Sequence, residues 1–268
     1  MPQGAAFFMT GAPEGDDRMT ENTRQTLGWG RFLLQFFSVA ILYILAQVPA
    51  AIIWGEVGAD GTFTLSSTVT AATTAFGMVV ALFVSWLWLR KDGAVAEAWR
   101  LSPSNGWGPT LLIALATTIA ILGWFTLGTM GLGALGLEPP AVGDVLGMVT
   151  QSTFHYVLWV VLVAWFAAGF GEELLYRGFL MDRLKRLKGV GNSIWGPIFI
   201  QALIFGVSHG YQSLSGVIIT GVVGFGLGWL RMRTNSLLPL VLAHMAVDTF
   251  SMSMAYADKL GFIPAFST

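Results

Sequence analysis

Residues 154–180 read FHYVLWVVLVAWFAAGFGEELLYRGFL. No charged side chain occurs from Tyr156 to Gly171, and then Glu172, Glu173 and Arg177 follow in quick succession. A helix apolar on every side has no face to turn toward water. The stretch therefore reads as a bilayer-crossing helix, for which about 20 apolar residues suffice, with ionisable groups placed near one end. Working outward, six more apolar runs appear at 31–54, 66–89, 108–136, 193–209, 215–230 and 236–256. The expected fold class is all-α, a polytopic transmembrane helix bundle of about seven spans. Gly136, Pro139 and Pro140 interrupt 108–153, and a split there would make an eighth span. The fifth and sixth runs are short.

Composition supports this reading. Of 268 residues, 54% are hydrophobic and 11% charged, less than half the share of about 25% usual in soluble domains. Mean hydropathy is +0.68. A net charge of −1 offers no basic surface for nucleic acid. The absence of cysteine excludes thiol nucleophiles, thiolate zinc sites and redox motifs. The eleven tryptophans suit a protein with membrane interfaces.

Lys and Arg in the loops set the expected orientation. Arg18, Arg24 and Arg31 precede the first run, and Arg90, Lys91 and Arg100 follow the second. Arg183, Lys185, Arg186 and Lys188 follow the fourth, and Arg231 and Arg233 the sixth. The opposite loops hold Glu56, Asp60, Glu138 and Asp144. With seven spans this puts the N-terminus in the cytoplasm of a multi-pass integral membrane protein, expected in a bacterial plasma membrane. Residues 1–30 read as a mobile cytoplasmic tail, 31–149 as N-terminal transmembrane helices, 150–256 as the helices carrying chemistry, and 257–268 as a short C-terminal tail. Gly93–Leu101 reads equally as a short interfacial helix or a loop.

Ionisable groups inside a span are costly and need a reason. They gather in the C-terminal half: Glu172, Glu173 and Arg177 on the fourth run, His209 at the end of the fifth, His244 and Asp248 on the seventh. Glu173 and Arg177 are four apart with the acid first, the favoured ion-pair order. Glu172 points elsewhere, which suits a structural pair beside an uncommitted base. His244 and Asp248 share a face, as do Phe205 and His209, so the phenylalanine can pack below the histidine. Counting about 1.5 Å per residue from the basic loops puts Glu172 and His244 roughly 16 Å deep, His209 roughly 21 Å and Asp248 roughly 22 Å. All four then fall in the middle of a core about 30 Å thick. Tyr211, Gln212 and Ser213, which continue the fifth run, must line a cavity or be covered by protein. A carboxylate with two imidazoles in a low-dielectric site can activate water, donate to an oxyanion or bind zinc.

Three motifs stand in order: Glu172-Glu173-Leu174-Leu175-Tyr176-Arg177, Phe205-Gly206-Val207-Ser208-His209, and His244-Met245-Ala246-Val247-Asp248. They read EExxxR, FxxxH and HxxxD. Over about residues 150–255 the chain resembles the CAAX protease and bacteriocin-processing family of intramembrane proteases, also called the Abi family, which includes the eukaryotic prenyl-protein endopeptidase Rce1. The N-terminal half matches only as generic membrane helices. The resemblance implies a glutamate-dependent endopeptidase in which Glu172 activates water and His209 helps hold it. His244 and the last motif residue would form the oxyanion site, while Glu173 and Arg177 position the first helix. The last position is Asn in the Rce1 branch and Asn or Asp in bacterial relatives; here it is Asp248. An ionised Asp cannot donate to an oxyanion, so Asp248 is either protonated or orients His244. The expected chemistry needs no metal; if zinc were used, Glu172, His209 and His244 would hold it.

The expected partners are the lipid bilayer and a protein or peptide substrate of unspecified identity: a prenylated C-terminus, a leader peptide or a membrane segment. Oligomeric state is left open. Two competing classes are a non-catalytic immunity or scaffold protein of the same fold, and an ion-coupled transporter using the polar cluster. His155 reads as interfacial and inert. Gly131–Gly136 matches GxGxxG without a surrounding strand, so it implies no nucleotide. Gly224 and Gly228 read as a close helix-packing site, and Asn235 as the shaper of a turn.

Overall fold

The computed structural model describes residues 26–103 and 105–263. The tail features expected between Pro13 and Arg24, and the end of the C-terminal tail, lie outside them. The described chain is mostly helical: α1 (Trp29–Leu45), α2 (Val48–Trp54), α3 (Ser67–Lys91), α4 (Val95–Ala98), α5 (Trp107–Ala134), α6 (Gly143–Val149), α7 (Thr153–Arg186), α8 (Trp195–Ser208), α9 (Ser213–Thr234) and α10 (Leu238–Lys259). A two-residue hairpin, Glu56–Val57 against Phe63–Thr64, closes the loop between α2 and α3.

Among the described residues, six segments are long and apolar enough to cross a membrane: Trp29–Trp54, Ser67–Lys91, Trp107–Ala134, Thr153–Arg186, Gly210–Thr234 and Leu238–Lys259. The expected count of seven is thus met only in part. The run at 193–209 forms α8, a 14-residue helix of about 21 Å, too short for a core of about 30 Å. No eighth span arises from 108–153, because α5 ends at Ala134 and only the seven-residue α6 follows. The first span is jointed. Pro49, in the first turn of α2, lacks the N–H that would continue the ladder from α1.

The bundle is built around α7, which packs against α3 on one side and α10 on another. Glycines make that approach possible. A Cβ at Gly169 would sit 2.5 Å from Met245 of α10, and one at Gly171 2.4 Å from Met78 of α3. At Gly178 it would sit 2.6 Å from Trp99, just after α4. Trp99 also donates its indole N–H to the Leu174 carbonyl at 3.0 Å. The Gly93–Leu101 stretch is therefore neither an interfacial helix nor a free loop. It is one helical turn wedged against α7, with Ala94 and Ala98 buried. From Val160 to Leu180 the central helix is wound with π-type i→i+5 hydrogen bonds. Such winding is uncommon and is frequent at functional sites.

Helices α8 and α9 form a tight hairpin. A Cβ at Gly206 would meet the Val217 carbonyl at 2.7 Å, and one at Gly224 would meet Phe205 at 3.0 Å. At Gly228 it would meet Gln201 at 2.4 Å, whose amide donates to the Gly224 carbonyl at 2.7 Å. The GxxxG pair thus serves packing within the chain. Backbone cannot swing aside as a flexible side chain can, so we expect Gly206→Ala to destabilise the protein by about 1–3 kcal/mol. Thermal unfolding in detergent would measure it; an unchanged midpoint would show that the hairpin has slack. Asn235 closes α9 in a left-handed conformation, φ 49°, which Asn tolerates better than most residues.

The basic helix ends meet at one end of the bundle. Asp92, just after α3, accepts from Arg31 of α1 and from Arg183 of α7. Burial opposes its ionisation, but the Arg183 and Arg31 guanidiniums prevail and hold the carboxyl below the usual range. Asp182 accepts from Arg183 and Arg186, and buried Arg231 of α9 donates to the Glu97 carbonyl at 2.9 Å. Along the helices, large apolar side chains such as Leu34, Ile52, Phe76, Leu112, Phe199 and Val207 are exposed. An apolar surface of this extent marks contact with lipid or protein.

Candidate active site

Glu172 and Glu173 lie in the π-wound part of α7, and their neighbours give them different roles. Glu173 and Arg177 are both buried, and Arg177 Nη1 donates to Glu173 Oε1 at 2.9 Å. The same Oε1 accepts from His244 Nδ1 at 2.9 Å. That bond fixes the orientation of the imidazole and turns Nε2 toward the other acids: Glu172 Oε2 lies 4.0 Å away and Asp248 Oδ2 3.8 Å. Glu172 Oε2 is buried and has no hydrogen-bond partner among the described residues. The free carboxylate and the committed one anticipated from the spacing are thus both present. A gap of 4 Å is too long for a direct hydrogen bond and is the kind that a water molecule bridges.

One expectation shifts. The sequence left Asp248 either protonated or orienting His244, and its Oδ2 lies 3.8 Å from His244 Nε2, too far for a direct hydrogen bond. The structure gives that bond to Glu173, on another helix, because α10 packs against α7 where Gly169 admits Met245. The depth count also changes its basis, since the stretch between Glu172 and Leu180 is not an α-helix and does not rise at the α-helical rate.

His209 ends α8. Its Nδ1–H donates to the Phe205 carbonyl at 2.8 Å. The Phe205 ring lies 4.6 Å from the His209 ring and 6.5 Å from that of His244, centroid to centroid. The phenylalanine packs beneath the histidine as its spacing suggests. It also supports the arginine, because the Arg177 guanidinium sits over the same ring at 4.1 Å, a cation–π contact. So one aromatic ring links both histidines and the arginine. Past His209 the chain turns through Gly210–Gln212 and is tied to the Pro139–Ala141 loop: Ser213 donates to the Pro139 carbonyl and Ala141 donates to that of Gln212, while Gly210 and Tyr211 stay exposed.

Three tyrosines stand near the site, and of these the sequence reading singled out only Tyr211, in the turn after His209. Tyr43 of α1, Tyr176 of α7 and Tyr211 are each in electrostatic reach of Glu172. Tyr176 carried a signal, being four residues from Glu172. Tyr43 carried none, since α1 reaches the site only through the fold. His155 stands apart, at the start of α7, beside Ser152 and Thr68. Among the described residues, no group of three or more His, Asp or Glu side chains is arranged to hold a metal ion.

Residues 154–250, which contain all three motifs, match the family model described as type II CAAX prenyl endopeptidase Rce1-like. No curated protein and no solved structure matches the chain significantly.

Proposed function

We propose that this chain, Rce1-like over residues 154–250, is an intramembrane endopeptidase. It hydrolyses a peptide bond with water activated by Glu172. The observation that carries this reading is the division of labour between adjacent acids. Glu173 is committed to Arg177 and His244, while Glu172 faces His244 Nε2 across 4.0 Å and its Oε2 has no hydrogen-bond partner among the described residues. In the proposed step Glu172 takes a proton from a water molecule, whose oxygen attacks the scissile carbonyl carbon. His209 helps hold that water. His244, its Nδ1–H held by Glu173, donates Nε2–H to the oxyanion. Collapse of the tetrahedral species returns the proton to the leaving amine.

Asp248 serves best as a protonated donor to the same oxyanion. Arg177 and a charged His244 balance ionised Glu173 and Glu172, so no cation remains to stabilise a third carboxylate in a low-dielectric site. Asn would mimic that neutral form. We expect Asp248→Asn to keep kcat within a few fold and Asp248→Ala to lose about 100-fold, the scale of one oxyanion donor. Cleavage assays on the two variants compare them directly; an inactive Asp248→Asn would show that the ionised acid is needed.

The reading is metal-free, places the N-terminus in the cytoplasm and leaves the substrate as a protein or peptide. Comparison of membrane-protein termini in cells with the wild-type chain and with Glu172→Ala tests it. New termini that vanish in the variant support proteolysis and name the substrate. Identical termini with the phenotype kept favour a non-catalytic protein of the same fold. Identical termini with the phenotype lost favour an ion-coupled role, which flux would reveal.

A further inference from the structure

Two side chains beside the site have no place in the three motifs: Tyr176 and Ser208. Tyr176 lies four residues after Glu172 on α7, and its hydroxyl donates to Ser208 Oγ, at the end of α8, at 3.0 Å. Ser208 in turn donates to the Phe205 carbonyl at 2.7 Å. That carbonyl is the one that accepts Nδ1–H of His209, and Ser208 Oγ lies 3.4 Å from the same nitrogen. The Tyr176 ring packs edge-on against Phe205, with centroids 5.0 Å apart. A chain of hydrogen bonds therefore runs from the helix of Glu172 to the acceptor that sets the His209 tautomer. The anchor sits where it is needed. Regular α-helix stops at Ser208 and the chain turns at Gly210, so the ring of His209 stands on a helix end. Helix ends fray unless side chains hold them.

We propose that Tyr176 and Ser208 are positioning residues that hold His209 in register with Glu172. The link commits Nδ1–H to the Phe205 carbonyl and leaves Nε2 available to the reacting water. The role goes beyond the three motifs and rests on the reading of Glu172 and His209 as the catalytic pair.

Tyr176→Phe removes one hydroxyl and keeps the ring packed on Phe205; Ser208→Ala removes the other end of the link. The chain has three histidines, so ¹⁵N-histidine NMR of the purified protein in detergent resolves each ring once assigned by single substitution. We expect His209 as the Nδ1–H tautomer in the wild type, with its ring signals shifted or broadened in both variants. His155 should be unaffected, and Ser208→Thr should restore the wild-type signals. Unchanged His209 signals in Tyr176→Phe and Ser208→Ala would overturn the proposal. Kinetics on a peptide spanning an identified cleavage site give a second readout. Each variant should lower kcat about tenfold with KM within twofold, a modest share of what misplacement can cost. The double variant should fall no further, because both changes break one link. Additive losses, or losses that track the unfolding midpoint, would mark a merely structural role. Should Glu172→Gln cleave as well as the wild type, the catalytic assignment falls, while the NMR result still decides whether the link holds His209.

Discussion

Glu172→Gln should lower kcat by about 1,000-fold, within the range that general-base catalysis supplies, and leave the unfolding midpoint within about a degree. The amide keeps the shape of the carboxylate and cannot accept the proton of water. Stability should survive because, among the described residues, Glu172 makes no ion pair with an arginine or lysine and its Oε2 has no hydrogen-bond partner. The control is the neighbour. Glu173→Gln weakens the contacts to Arg177 and His244, so it should lose stability and activity together. The two variants differ by one position and separate a reacting acid from a positioning one. Purified wild type and both variants, assayed on one peptide and melted in one detergent, give the answer. A Glu172→Gln protein that retains kcat would sink the glutamate mechanism. A Glu172→Gln protein that unfolds much earlier than the wild type would assign the acid a structural role.

The largest loss of stability is expected for Arg177→Ala. The guanidinium is buried, donates to Glu173 and lies over Phe205. Its removal breaks a buried ion pair and leaves Glu173 with His244 alone, and breaking a buried pair costs about 3–5 kcal/mol. Phe205 loses its stacked partner as well, and the ring carries both histidines. For a chain of this size that corresponds to roughly 10 °C in midpoint. Glu173→Gln/Arg177→Met removes both charges and keeps the volume over Phe205. It should recover most of that loss, since a buried pair replaced as a whole is often nearly neutral. Thermal unfolding of the single and the double variant forms the comparison. Equal midpoints for wild type and Arg177→Ala would mean that the pair adds nothing. A double variant as unstable as the single would mean that the arginine acts through contacts other than Glu173.

The sequence alone determined that the chain is helical and membrane-embedded, because burial in lipid demands long apolar runs and the runs can be counted. It also determined which ionisable groups are out of place, and periodicity on one helix paired Glu173 with Arg177 and Phe205 with His209. Each of these is a local relation, four residues apart. What crosses between helices was not legible. No spacing could say that His244 of α10 bonds to Glu173 of α7, that Arg177 rests on the ring of Phe205, or that Trp99 lies under the central helix. Those contacts depend on which helices pack together and at what rotation, and glycines at 169, 171, 178, 206, 224 and 228 set that through close approach. A glycine in a sequence shows only that a side chain is missing. The tertiary structure shows what occupies its place.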